Sequence, residues 1–425
     1  MLERLFESLR LRDFRIYFLG QMVSITGTWM QNVAQAWLVY RLTESSFLLG
    51  FVAFVGLMPV LVFGLAGGVV ADRYPRKALM VAAQTVALLQ AVTLAVLTLT
   101  GWVEVWHIIA LAFLLGVVHA FEMPTRHSFL AEIVPRGQLA NAIALNSSLF
   151  NLARSAGPAI AGWLVAASGE GVVFAINAGT FLLMLIGLWR IRMPASGTER
   201  PGRRPGALAE GLRYAAGHPR IRAALLLLAS VSLLSTGYSV LMPVFSKTVF
   251  GGGPTLLGML LGSAGLGALV AALRLAYLSG RQQLDRQIGG AVITAGVAMA
   301  GFAATDYLPL AMALLAVVGF ALTTLIASTN TLLQMLVADT LRGRVMSLFS
   351  VLFIGANSIG NLLAGTIADR VGAPTTVLVF GMTALALGTV HRLHAPRLAR
   401  EGGAPEDKPE READAPTGRG DQTGL

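Results

Sequence analysis

The chain contains no cysteine. Disulfides, thiolate metal sites and cysteine nucleophiles are therefore excluded. Charge is scarce too: Asp, Glu, Lys and Arg make up only 13% of residues, against about 25% in a soluble protein. That deficit is too large for a soluble domain of 425 residues. Nucleotide chemistry has no signature either. Gly251-Gly252-Gly253-Pro254 is not followed by the Gly-Lys-Ser/Thr of a phosphate loop, so direct ATP drive is not expected. No cluster of His or acidic residues has metal-site spacing. We expect no enzyme, no cofactor and no metal. A cleavable signal is missing as well: Met1 to Arg15 mixes charges, and no small-residue cleavage site follows a short apolar core.

What is present is apolar length. Residues are 55% hydrophobic, with a mean hydropathy of +0.69. Runs of about 20 apolar residues recur, each long enough to cross a bilayer as a helix. They fall at 16–40, 48–71, 78–100, 105–121, 141–167, 172–190, 221–248, 255–278, 288–305, 309–331, 345–368 and 374–391. The expectation is an all-α membrane protein with about twelve transmembrane helices. Glycine, at 47 residues, suits close helix packing in lipid.

The net charge of +10 does not point to nucleic acid, because of where the charge sits. Of the 32 Lys and Arg residues, 27 fall in segments on the N-terminal side of the membrane. Only Arg41, Lys247 and Arg370 fall on the other side, with Arg154 and Arg274 inside spans. Lys and Arg concentrate in cytoplasmic loops, so both termini are expected in the cytoplasm of a plasma-membrane protein. Residues 191–219 form the longest internal connection. Its Pro- and Gly-rich first half is a flexible linker, and Ala207 to Gly217 is expected to form a short surface helix. Residues 393–425 carry Pro, Gly and charge with little to bury, the composition of a disordered tail. The units are then 1–190, the linker 191–219, 220–392 and the tail 393–425.

The two halves are related. Ala153, Gly157, Ala161 and Gly162 recur 203 residues later as Ala356, Gly360, Ala364 and Gly365. Leu48-Leu49-Gly50 pairs with Leu256-Leu257-Gly258. Two pseudo-symmetric six-helix bundles with a long cytoplasmic linker make a transporter layout, with substrate near the midplane between the repeats.

The turn Gly68-x-x-x-Asp72-Arg73-x-Pro75-Arg76-Lys77 resembles motif A of the major facilitator superfamily, which lies between helices 2 and 3. Pro75 stands where that family usually has Gly. The resemblance implies a gate in which Asp72 opens helix 3 and faces the start of helix 11, near Arg344 to Ser347. Carboxylates are stabilised near helix N-termini, and Gly68 would admit a close neighbour. The alternative is an anchor in which Arg73, Arg76 and Lys77 only mark the cytoplasmic side. Leu11-Arg12-Asp13-Phe14-Arg15, Gly27-Thr28-Trp29-Met30-Gln31 and Phe121-Glu122-Met123-Pro124-Thr125-Arg126 are similar to one branch of the superfamily. That branch includes enterobactin exporters and many drug-efflux permeases. In helix 5, Ala153-x-x-x-Gly157-Pro158-x-x-Ala161-Gly162 resembles motif C, associated with exporters. There Pro158 can bend the helix beside the close contacts of Gly157 and Gly162, although small-residue packing alone also explains the glycines.

Polar residues inside spans point to a cavity. Gln21, Ser24, Thr28, Gln31 and Gln35 share one face of helix 1, and such a face must meet protein or water rather than lipid. Gln31, Gln35, Asn151 and Asn357 either line a cavity or join helices. Arg154 lies roughly 20 Å along helix 5. A charge at that depth faces the interior or a water-filled cavity, where Arg154 would bind an anionic group or hold a carbonyl network. His119 and Glu122 are either proton-relay groups or, for Glu122, half of a structural pair with Arg126. No carboxylate lies deep in the spans drawn above, so proton coupling follows from the resemblance alone. The expected function is proton-coupled export of small amphipathic molecules by a monomer. An importer of the same fold and a non-transporting scaffold or sensor are the alternatives.

Overall fold

The computed structural model describes residues 7–192, 207–277 and 284–401. The Pro- and Gly-rich part of the linker, Arg281 and residues 402–425 of the expected tail lie outside these. Among the described residues there is no strand, and twelve helices have at least 21 residues. In chain order they are α1 (Arg12–Thr43), α2 (Ser46–Arg73), α3 (Arg76–Leu99), α4 (Val105–Ile133), α5 (Leu139–Ser168), α6 (Glu170–Arg190), α7 (Pro219–Val240), α8 (Pro254–Tyr277), α9 (Leu284–Ala304), α10 (Leu308–Leu336), α11 (Asp339–Val371) and α12 (Ala373–Glu401). The linker helix forms at Ala207–Gly217.

Ten of the helices are long and apolar enough to cross a membrane. The two that fall short of that apolarity are α1 and α5, the helices with the polar stripe and Arg154. Indole and phenol rings stand exposed near both ends of the bundle. Trp102, Trp106 and Tyr307 mark one end, and Tyr74 and Trp189 the other, as aromatic belts do at membrane interfaces.

Local chemistry explains the breaks. Ser45 caps α2 by accepting from the Leu48 amide at 3.2 Å, and Glu104 opens α4 with a capping box to His107. Gly169 separates α5 from α6 at φ 82°, and Gly372 separates α11 from α12 at φ 85°. Both positions need the left-handed backbone that glycine adopts freely. They are 203 residues apart, the same offset as the glycine ladder.

Several boundaries differ from expectation. α4 runs to Ile133 instead of stopping near 121, and this places Glu122 and Arg126 inside the helix. Pro124 stands inside the helix. Helix α7 is not continuous to 248: it ends at Val240, and a short helix at Met242–Val244 and a π-turn at Phe245–Val249 follow. Pro243 has no amide hydrogen to continue the ladder. Residues 393–401, assigned to the tail, continue α12, being rich in the helix formers Leu, Arg and Ala.

Apart from the linker between α6 and α7, short connections reverse the chain between successive helices. The ends at Arg12, Arg73, Ile133, Arg190, Pro219 and Leu336 therefore share one face with the linker helix, here called the terminal face. At this face, apolar packing stays within each half. Phe14, Tyr17, Met80, Phe129 and Leu188 form one cluster, and Ile221, Leu228, Leu333, Val345 and Phe349 form another with Ala215 of the linker helix. The largest cluster lies toward the opposite face and draws on both halves, with Leu38, Phe174, Leu257, Phe245, Phe302 and Val377.

Candidate functional site

The halves meet through two repeat-related contacts. In the first, α5 lies against α8. A Cβ on Gly162 would sit 2.5 Å from the Pro254 carbonyl oxygen and 2.8 Å from Gly258 Cα. In the second, α11 lies against α2, and a Cβ on Gly365 would sit 2.6 Å from the Ser46 carbonyl oxygen and 2.9 Å from Gly50 Cα. The four glycines are the two duplicated pairs of the sequence, brought face to face. Polar bonds reinforce the join toward the opposite face. Asp369 Oδ1 accepts from Ser45 Oγ and from the Phe47 amide, both at 3.3 Å. Lys247 Nζ donates to Glu44 at 2.6 Å and holds that carboxyl below its usual range.

Inside this join lies a cavity of about 400 Å³, within the range of small-molecule sites. Both halves wall it: Trp29, Asn32, Arg154 and Pro158 from the first, Tyr238 and Asn357 among those from the second. A second space of about 260 Å³ adjoins it. This one includes Gln35 and His119 and shares Asn32, Ala36 and Asn361.

Arg154 points into the larger cavity. Its Nη2 donates to Thr323 Oγ1 on α10 at 3.2 Å and, more weakly, to Asn151 Oδ1 at 3.4 Å. Its Nε is buried without a hydrogen-bond partner. Asn151, half-buried, donates to the Ser147 carbonyl at 2.9 Å and does not line the cavity. Gln31 does not line it either. It is fully buried, donating to Gln90 at 3.1 Å and accepting from Asn177 at 2.7 Å. Its amide joins α1, α3 and α6, and the cavity wall one position on is Asn32. Thr323 lines the cavity while the adjacent Thr324 bonds to its own helix. From sequence, the doublet gave no means to choose between them.

Glu122 is 4% exposed and sits mid-helix, so a carboxylate does lie deep within a span. Arg126 Nη2 donates to its Oε1 at 2.5 Å and Gln84 Nε2 at 3.0 Å. Near them, the Tyr17 hydroxyl and Arg126 Nε are buried without partners. His119 faces the smaller cavity one turn away. The turn between α2 and α3 differs from expectation. Asp72 ends α2 and does not open α3, which starts at Arg76 with Pro75 at its N-cap. A residue before proline is pushed out of the helical region, and Tyr74 is extended at φ −110°. Asp72 carries no hydrogen bond or ion pair among the described residues. Arg76 pairs with Glu132 of α4, and Lys77 donates to the Ile191 carbonyl at 2.7 Å. Both therefore brace the first half, while Arg73 is exposed. Gly68 is buried, but the close approach to α4 is made by Gly67, whose Cβ would meet the Ala120 carbonyl at 2.2 Å. Gly157 admits Trp29 of α1, and Pro158 lines the cavity.

The family model described as transmembrane secretion effector, of the major facilitator type, matches residues 5–416. The multidrug efflux pump Tap of Mycolicibacterium fortuitum is 31% identical over 88% of this chain and 93% of its own length. The staphyloferrin A transporter of Staphylococcus aureus is 24% identical over 88% and 94%. Macrolide efflux protein A of Streptococcus pyogenes is 23% identical over 89% and 94%. Among solved structures, a bacterial homolog of the human lysosomal transporter Spinster, inward-facing and occupied, superposes with a TM-score of 0.74 at 14% identity, covering 92% of this chain and 97% of that one. The likeness at that identity concerns the fold. With the family model spanning nearly the whole sequence, the chain belongs to the transmembrane secretion effector family of major facilitator transporters, multi-pass proteins of the cell membrane.

Proposed function

We propose that this chain is a proton-coupled secondary exporter of small amphipathic molecules, working as a monomer by alternating access. Twelve spans would form two six-helix bundles, residues 1–190 and the helices from Pro219 onward, with the linker and both termini in the cytoplasm. The 27 Lys and Arg residues on the terminal side support that orientation. One observation carries the functional reading: a part-polar cavity walled by both halves, with the halves joined toward one face by the repeat-related glycine contacts. Symmetry-related contacts on one side are what a rocking pair of repeats needs. Efflux relatives support the export direction. For coupling, Glu122 with Arg126 and His119 are the groups that could exchange a proton with the smaller cavity.

Transport of a panel of fluorescent amphipathic dyes into everted vesicles tests this. Dye should accumulate while a proton gradient stands and leak out when a protonophore is added. Accumulation that survives the protonophore would refute proton coupling, and a panel that never moves would favour a scaffold.

A further inference from the structure

Among the described residues, every other arginine that is not exposed pairs with an acid. Arg126 has Glu122, Arg76 has Glu132, and Arg220 has Asp285. Among the described residues, Arg154 has two neutral oxygens, Thr323 Oγ1 and Asn151 Oδ1, and both bonds use Nη2. A guanidinium carries five N–H donors. The Nε donor is buried and unspent, and no hydrogen bond uses Nη1. No Asp or Glu stands among the residues lining the 400 Å³ cavity, and Arg154 is their one charge. Around it stand further unspent donors: Asn32, Asn357 and Tyr238 line the same space and form no side-chain hydrogen bond within the described residues. The remaining wall is largely apolar, with Trp29, Leu257, Leu322 and Phe353.

A lone cation at this depth is costly unless water or an anion meets it. Holding α5 to α10 does not require a cation, since a single neutral donor would bond Thr323 equally well. The arrangement matches an anionic head with an apolar body. The planar fork takes a carboxylate, sulfonate or phosphate through two parallel bonds, and the amides, phenol and indole edge hold the rest.

We propose that the cavity is selective for amphipathic anions, with Arg154 as the ligand of the anionic head. This rests on the cavity being the transport path, and it narrows the substrate class.

Fluorescein and rhodamine 123 share a ring system but carry opposite charge at neutral pH. Binding of each to the full chain in nanodiscs of neutral lipid can be followed by quenching of tryptophan fluorescence. Wild type should bind fluorescein more tightly. Arg154→Gln should weaken fluorescein by about tenfold or more, the scale of a lost charge-assisted contact, and leave rhodamine 123 unchanged or tighter. Arg154→Lys keeps the charge and should retain most of the discrimination. Equal loss of both dyes in Arg154→Gln, a wild-type preference for rhodamine 123, or binding of neither would overturn the proposal. Because binding needs no gradient, anion selectivity without vesicle transport would refute the exporter and leave the anion site standing. Transport of rhodamine 123 alone would do the reverse.

Discussion

At the scale of single residues, the contrast between Arg126 and Arg154 organises the site. Both lie within the membrane region and leave Nε unsatisfied, yet only Arg126 has an acid. The Glu122–Arg126 pair is thus a structural element whose halves depend on each other. Removing one partner of a buried pair costs about 3–5 kcal/mol, while replacing both by neutral groups costs far less. Glu122→Gln should lower the melting temperature of the purified protein by several degrees, and adding Arg126→Met should restore most of it. A single variant as stable as wild type, or a double variant less stable than the single, would mean the pair does not brace α4. Arg154 was legible as a functional candidate because arginine in an apolar run has few explanations. The neighbouring amides were not. Gln31, Asn32 and Gln35 all belong to one polar helix, and a helix turn of about 100° per residue separates a cavity-facing position from a buried one. Which face is which depends on where α3 and α6 pack, information carried by Gln90 and Asn177 far along the chain.

At the scale of elements, the glycine contacts make the halves adhere. Gly162→Leu would drive a side chain into Gly258 and the Pro254 carbonyl, and Gly365→Leu would do the same to Gly50 and Ser46. Overpacking of this kind costs about 1–3 kcal/mol. It falls on the joined state, so the separated state should gain up to about a hundredfold in relative population. Spin labels on Thr43→Cys and Val371→Cys, in a chain with no native cysteine, would report a longer opposite-face distance in either variant. Gly179→Leu, where nothing lies within 4 Å of the new Cβ, should leave the distance unchanged. A long distance in that control, or none in the other two, would separate the glycines from the join. These elements were the most legible part of the molecule, since recurring apolar length marked the spans, even α1 and α5 where polar residues interrupt it. Their ends were less so: α4 continues past Pro124 because its following residues still have α2 and α3 to pack on, a tertiary support that no local signal carries.

For the whole molecule, the α2–α11 contact suggests how the terminal face could close. The two helices run antiparallel, with Gly50 beside Gly365 and Leu61 within 3.2 Å of a Cβ on Gly355. Eleven residues beyond Leu61 is Asp72, and eleven before Gly355 is Arg344. In this structure Arg344 pairs with Glu210 of the linker helix. Closing the terminal face would let Arg344 exchange Glu210 for Asp72. Asp72→Asn should then slow turnover and keep the terminal face open, while Glu210→Gln should favour its closure. Terminal-face label distances that move the same way in both variants would contradict the exchange. The duplication made this layout readable in outline from the glycine ladder. The partner of Arg344 was not readable, because Glu210 lies 134 residues away in the linker helix and no local signal joins the two.

The amide network of Gln31 has a consequence for how the chain is made. Its partners lie 59 and 146 residues downstream. As the nascent chain enters the membrane, α1 therefore presents a bare amide at a depth where an unsatisfied polar group costs several kcal/mol. The first helix is costly to leave in lipid alone, and its amide is satisfied only once α3 and finally α6 have packed on it. The first half of this transporter is then completed by its last helix, not its first.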